Sequence, residues 1–138
     1  MIRTSKVSKS IDTSSERIEI LKAVDLSVEA GDTVAITGAS GSGKSTLLGI
    51  LAGLDLPSSG QVWLDQQEIT AMNEDQRAAL RRERVGFVFQ SFQLLPALTA
   101  LENVMLPLEL AVVPAARQRA LEYLAQVGLQ HRLRHYPR

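Results

Sequence analysis

The chain has 138 residues, 45% hydrophobic and 22% charged, with a formal net charge of zero and no cysteine. That composition suits an ordinary globular protein with enough length for a real core. Zero net charge argues against nucleic acid or an anionic membrane surface as partner, and the lack of cysteine excludes thiolate chemistry and fits a reducing compartment.

In chain order, the first ten residues carry Arg3, Lys6 and Lys9 with no acid, and no apolar run follows the charges, so the start does not read as a signal peptide. Residues 1–14 alternate small and polar groups, enough for one short edge strand. Arg17 to Leu21 is a strand candidate, and Ala23 to Glu29 alternates Val24, Leu26 and Val28 with polar residues. Ala30-Gly31-Asp32 reads as a turn, and Thr33-Val34-Ala35-Ile36-Thr37 as a buried strand.

The next residues, Gly38-Ala39-Ser40-Gly41-Ser42-Gly43-Lys44-Ser45, fit the G-x-x-x-x-G-K-S/T pattern of a phosphate-binding loop. Ser45 to Gly53 reads as a helix leaving the loop, so strand, glycine loop and helix follow in the order that motif requires. Glycines let successive backbone N–H groups curl toward an anion, and the helix start adds its unpaired donors and the positive end of its dipole. Lys44 can reach the β- and γ-phosphates as a point charge. The Ser45 hydroxyl is placed to ligate Mg²⁺, and Thr46 to contact a phosphate oxygen. The plain alternative is a glycine turn that binds nothing.

Pro57-Ser58-Ser59-Gly60 is a turn, Gln61 to Asp65 a strand, and Asp65-Gln66-Gln67 a hairpin tip. Val62-Trp63-Leu64-Asp65 superficially resembles an apolar strand ending in a magnesium-binding aspartate, but the turn reading is preferred. Asn73 with Gln76 forms a capping box opening a charged helix to about Arg84, and Arg81, Arg82 and Arg84 read as a solvated face. Val85-Gly86-Phe87-Val88-Phe89 is a buried-type strand ending at Gln90. Thr99 with Glu102 is a second capping box, starting a helix that Pro107 ends or kinks. Leu94 to Val113 is the richest apolar stretch, but Pro96, Glu102, Asn103, Pro107 and Glu109 interrupt it, so it is not expected to span a bilayer. Arg117 to Val127 places Ala120, Leu121, Leu124 and Val127 on one face, and Gly128 terminates it. His131 and His135 are spaced to share a helix face, but the arginines around them argue against a metal.

Three stretches, GASGSGKSTLLGILAGLDLPSSG, RRERVGFVFQSFQLLPALTALENVMLPL and GLQHRLRHYPR, resemble the ATP-binding subunit of an ABC transporter, of the lipoprotein-releasing and macrolide-export type. The resemblance implies an α/β fold: a P-loop NTPase core with N-terminal antiparallel β strands and a helical subdomain. It divides the chain into a nucleotide-binding core at 1–90 and a helical part at 91–138. It also implies that Gly38, Ala39, Ser40, Gly41, Ser42, Gly43, Lys44, Ser45 and Thr46 hold ATP and Mg²⁺. Gln90 becomes the Q-loop glutamine, an uncharged amide that senses the γ-phosphate through Mg²⁺ and water. The partners it implies are a membrane permease subunit and a second ATP-binding subunit, with the protein cytoplasmic and peripheral on the inner face of the membrane.

Two departures stand out. The aromatic residue that family members stack on adenine falls near Ile11 here, and no aromatic precedes Trp63, so base grip and the choice of ATP over GTP are expected to weaken. The family's signature motif, second acidic magnesium motif, catalytic glutamate and switch histidine come after a segment like HYPR, and the sequence reaches only Arg138. The resemblance therefore implies a truncated subunit that binds nucleotide, with hydrolysis by this chain alone doubtful and an apolar face left uncovered. A small regulatory module that binds nucleotide without hydrolysis is the alternative. A small-molecule kinase fits the FVFQ and LTALENV segments less well.

Overall fold

The computed structural model describes residues 1–137. The chain divides into two compact units, Met1–Phe87 and the residues from Val88 onward.

In the first unit, β1 (Ile2–Asp12) and β2 (Arg17–Val28) form a long antiparallel hairpin, and β3 (Ser59–Leu64) with the short β4 (Gln67–Glu68) completes a sheet ordered β2-β1-β3-β4. The β1–β2 turn is closed by Thr13, whose hydroxyl accepts from the Glu16 amide at 3.1 Å and donates to the Glu16 carbonyl at 2.7 Å. The two strands are not regular. Their register shifts between Thr4 and Ser10, with Lys6 and Ala23 both in the left-handed region at φ 47° and 42°. The amides freed there are met by side chains: the Lys6 N–H donates to Asp25 at 2.7 Å and the Ala23 N–H to the Ser8 hydroxyl at 2.9 Å. Gly60 lies under this bulge, where a Cβ would come within 2.4 Å of the Lys6 carbonyl oxygen, so no larger residue fits.

Helix α1 (Lys44–Leu51) lays Leu47, Ile50 and Leu51 on the sheet, against Val7, Leu21, Val62 and Leu64. Helix α2 (Glu74–Arg84) adds Leu80 to the same core. The Asn73 and Gln76 capping box forms with both reciprocal bonds, at 2.9 and 3.0 Å. In the second unit α3 (Ala100–Leu110) and α4 (Ala116–Gln126) pack together, with Ala120 and Leu124 buried. Thr99 and Glu102 form the second capping box. The first turn of α3 gains two more partners, as Ala100 N–H donates to the His135 carbonyl at 2.8 Å and Leu101 N–H to that of Leu133 at 3.1 Å. Helix α4 ends in a Schellman motif through Gly128 and Leu129.

Several sequence expectations need correction. Residues 1–14 hold not a short edge strand but an interior strand of 11 residues, paired on both sides. The expected turn at 57–60 already includes the first residues of β3. Thr33 to Thr37 and Val85 to Phe89 join no strand of the sheet, and they are less buried than their patterns suggest: Val34 is 50% and Val88 97% exposed. Both segments lie outside the four-stranded sheet, and each is only partly packed on its core, through Ile36 and Val85. Helix α3 continues three residues past Pro107, because Ala111, Val112 and Val113 bond back to Pro107, Glu109 and Leu108 and secure the last turn. His131 lies in a turn after α4 and His135 in the irregular segment beyond it, neither of them on a helix. Among the described residues, no helix is long and apolar enough to cross a membrane.

Candidate functional site

The glycine loop spans the link from residue 38 to the start of α1 at Lys44. Gly38, Gly41 and Gly43 all have positive φ, at 152°, 79° and 84°. Gly43 is the most constrained. It is the N-cap of α1 and left-handed, and a Cβ there would lie 2.9 Å from both the Ile20 carbonyl oxygen and Leu21 Cδ2 of β2. The sheet thus backs directly onto the residue that turns the chain into the helix. A side chain at Gly38 would meet the Ser42 hydroxyl at 2.9 Å.

The Lys44 ammonium folds back over the loop. It donates to the Gly38 carbonyl at 3.0 Å and the Ala39 carbonyl at 2.6 Å, with the Ser42 hydroxyl at 3.4 Å. A half-buried cation is therefore held beside the N-terminal amides of α1. The first four N–H groups of a helix lack intrahelical acceptors, and no acidic residue occupies the first turn of α1. The positive end of the dipole and the ammonium add up to a site for a polyanion. Ser40, Gly41, Ser42 and Ser45 are exposed, and Thr46 is half-buried. Residues 38–46 are thus gathered in one place by the fold. Gln90 lies in the other unit, exposed and in a bend.

Ile11 is 49% exposed and pairs across the hairpin with Ile18, which is 45% exposed. Ile20, two residues further along β2, lies with Leu21 where a Cβ on Gly43 would fall. An aliphatic edge thus runs from the loop to the hairpin end, and the even spacing of Ile18 and Ile20 on a strand was its sequence signal.

Asp65 belongs to a turn, as its surroundings in sequence suggested. It and Gln66 have φ 47° and 69°, and its carboxylate accepts from the Met1 ammonium at 2.9 Å. That hydrogen bond holds its pKa below the ordinary carboxylate value. Arg81 departs from the solvated-face reading. It is half-buried and donates to the Gly53 carbonyl at 2.6 Å and to Glu74 at 2.8 Å. Glu74 also accepts from Arg77, and the two arginines keep its pKa low. Lys9 makes a comparable contact, donating to the Leu56 carbonyl at 2.7 Å and to Asp55 at 2.9 Å, which lowers the pKa of Asp55. Neither contact was readable from sequence, because the partners lie 28 and 46 or more positions apart.

The family profile described as ABC transporter matches residues 21–137. The chain belongs to the ABC transporter family. Among curated relatives it is 49% identical to the lipoprotein-releasing system ATP-binding protein LolD of Legionella pneumophila strain Paris, over 99% of this chain and 61% of the relative. It is 50% identical to the LolD of Pseudomonas syringae pv. tomato over 94% of this chain and 58% of that one. Among solved structures it matches the ATP-binding cassette MJ0796, seen as a dimer in a post-hydrolysis state bound to ADP and Pi, with TM-score 0.92 and 41% identity. A second dimeric structure of MJ0796, a bacterial ABC transporter cassette, gives the same TM-score at 42% identity. The chain spans about 61% of the Legionella relative and 62% of the MJ0796 cassette. The fold is that of an ABC-type ATPase cassette over that length: antiparallel sheet, P-loop helix and a helical part.

Proposed function

We propose that this chain binds the triphosphate of ATP, with Mg²⁺, in the loop Gly38–Thr46, and that it is the nucleotide-binding part of an ABC transporter subunit for export. The carrying observation is the Lys44 ammonium, held by the Gly38 and Ala39 carbonyls beside the open amino end of α1. In this reading the amides from Ala39 to Thr46 wrap the β-phosphate, and Lys44 bridges the β- and γ-oxygens. The Ser45 hydroxyl would hold Mg²⁺, which neutralises charge between the phosphates, and Gln90 keeps the Q-loop role that the family resemblance gives it. The glycines fit this ligand, since positive φ at Gly38, Gly41 and Gly43 is the kind of backbone from which anion-binding concavities are built. The identity to LolD proteins supports a membrane permease as docking partner, on the inner face of the membrane, and the dimeric cassettes support a second ATP-binding subunit.

The loop supplies phosphate binding and part of a metal shell. Hydrolysis needs in addition a water oriented in line with the leaving oxygen, which the loop does not provide. Binding is therefore the activity assigned to these residues. Titration calorimetry with Mg-ATP tests it. The wild-type chain should bind, and Lys44→Ala should lose about tenfold to a hundredfold in affinity, the worth of one charge-assisted hydrogen bond. Equal affinity in the two proteins would reject the assignment.

A further inference from the structure

Helix α1 carries the loop at one end, and what holds its other end is a separate matter. Its last turn contains no basic residue of its own. Cations reach it from elsewhere in the fold. Arg81 of α2 donates to the carbonyl of Gly53, the left-handed residue that ends the helix. Lys9 of β1 donates to the carbonyl of Leu56 and pairs with Asp55 at 2.7 Å, three and two residues further along. Both cationic side chains are mostly buried, at 23% and 18% exposure, so neither contact is a loose surface pair. Arg81 is itself fixed, because Glu74 accepts from both Arg81 and Arg77. The Arg81 and Arg77 pair keeps a net positive charge beside Glu74 at the carboxyl end of the helix and opposes the negative end of its dipole, whereas Lys9, neutralised by Asp55, acts as a tether. Neither contact touches the amino end, which stays open to an anion.

We infer that Arg81 and Lys9 are positioning residues for the phosphate site: together they brace α1 from behind and set the direction in which its first amides and Lys44 face the ligand. The inference rests on the nucleotide-binding reading above. The brace acts on the phosphate end, because Arg81 and Lys9 both bond to the segment Gly53–Leu56 directly behind α1.

The test compares Mg-ATP with Mg-bound inorganic triphosphate by calorimetry, at a temperature well below every variant's melting point. Arg81→Gln and Lys9→Gln should each weaken both ligands by the same factor, about fivefold. Arg81→Lys should recover part of that loss, since an ammonium still reaches the Gly53 carbonyl. Arg82→Gln, on the exposed face beside it, should leave both affinities unchanged. Lowered melting temperatures with unchanged affinities would overturn the inference, by making the contacts purely structural. So would a loss confined to ATP, or an equal loss in Arg82→Gln. A wild-type chain that binds neither ligand would instead defeat the nucleotide-binding reading before any variant is compared.

Discussion

Lys44 and Ile11 mark the two ends of the proposed ligand, and they differ in kind. Lys44 is a cation already aimed by its own loop, through bonds of 3.0 and 2.6 Å to two carbonyls. Ile11 offers only an aliphatic surface, 49% exposed, next to that of Ile18. Stacking on an aromatic ring is worth about 1–3 kcal/mol per base and tolerates any base because every base has a π-face, so the missing ring costs grip and not, as the sequence reading expects, the choice of ATP over GTP. Ile11→Tyr should therefore tighten both Mg-ATP and Mg-GTP by about five- to 150-fold, while inorganic triphosphate is unaffected. Fluorescence competition among the three ligands would show this. Tightening of the triphosphate, or of none, would place the base elsewhere.

At the scale of elements, helix ends explain most of what could be read in advance. The capping boxes at Asn73–Gln76 and Thr99–Glu102 are local patterns of four residues, and both form. The glycine loop is equally local, which is why its path from residue 38 into α1 follows from the motif. Strands are different, because they exist only in pairs. Thr33–Thr37 and Val85–Phe89 carry strand-like side chains yet join no ladder of the sheet, and no window of sequence reveals whether a neighbour is at hand. The length of β1 was hidden for the converse reason. Its serines and lysines look like loop, but β2 and β3 pair with it on both sides. The end of α3 went unforeseen as well. Val112 takes the left-handed position of a Schellman motif, at φ 53°, with its amide on Glu109 and that of Val113 on Leu108. A β-branched side chain is disfavoured there, and this one is 85% exposed, so it gains little from packing. Val112→Gly should stabilise the chain by about 0.5–1 kcal/mol, the relief of left-handed strain less the added backbone entropy of glycine. Thermal melts would register it as a higher midpoint, and a lower one would contradict the strain argument.

For the molecule as a whole, the notable quantity is apolar surface left in solvent. Val88 is 97% exposed, Phe92 87%, Leu110 71%, Val127 67% and Val34 50%. Large exposed side chains of this kind favour association, and more so when they cluster along one segment such as 88–95. Sedimentation velocity should show the weight-average coefficient rising between about 5 and 100 µM, the range in which such surfaces self-associate. A concentration-independent monomer would mean that these side chains are covered in solution. Family membership and the phosphate loop were legible because they rest on short, ordered motifs. Gln90 was legible only through the family resemblance, since it lies outside the unit that carries the loop. The ties from Arg81 and Lys9 to the far end of α1 were hidden too, because they join residues distant in sequence.

The most direct test of the central claim is the amide spectrum of the ¹⁵N-labelled protein titrated with Mg-ATP. The amides of residues 39–46 should move most and saturate together, with smaller shifts at Ile11 and Ile18. Shifts centred on other residues, or a spectrum unchanged at millimolar nucleotide, would contradict the assignment of this loop as the phosphate site.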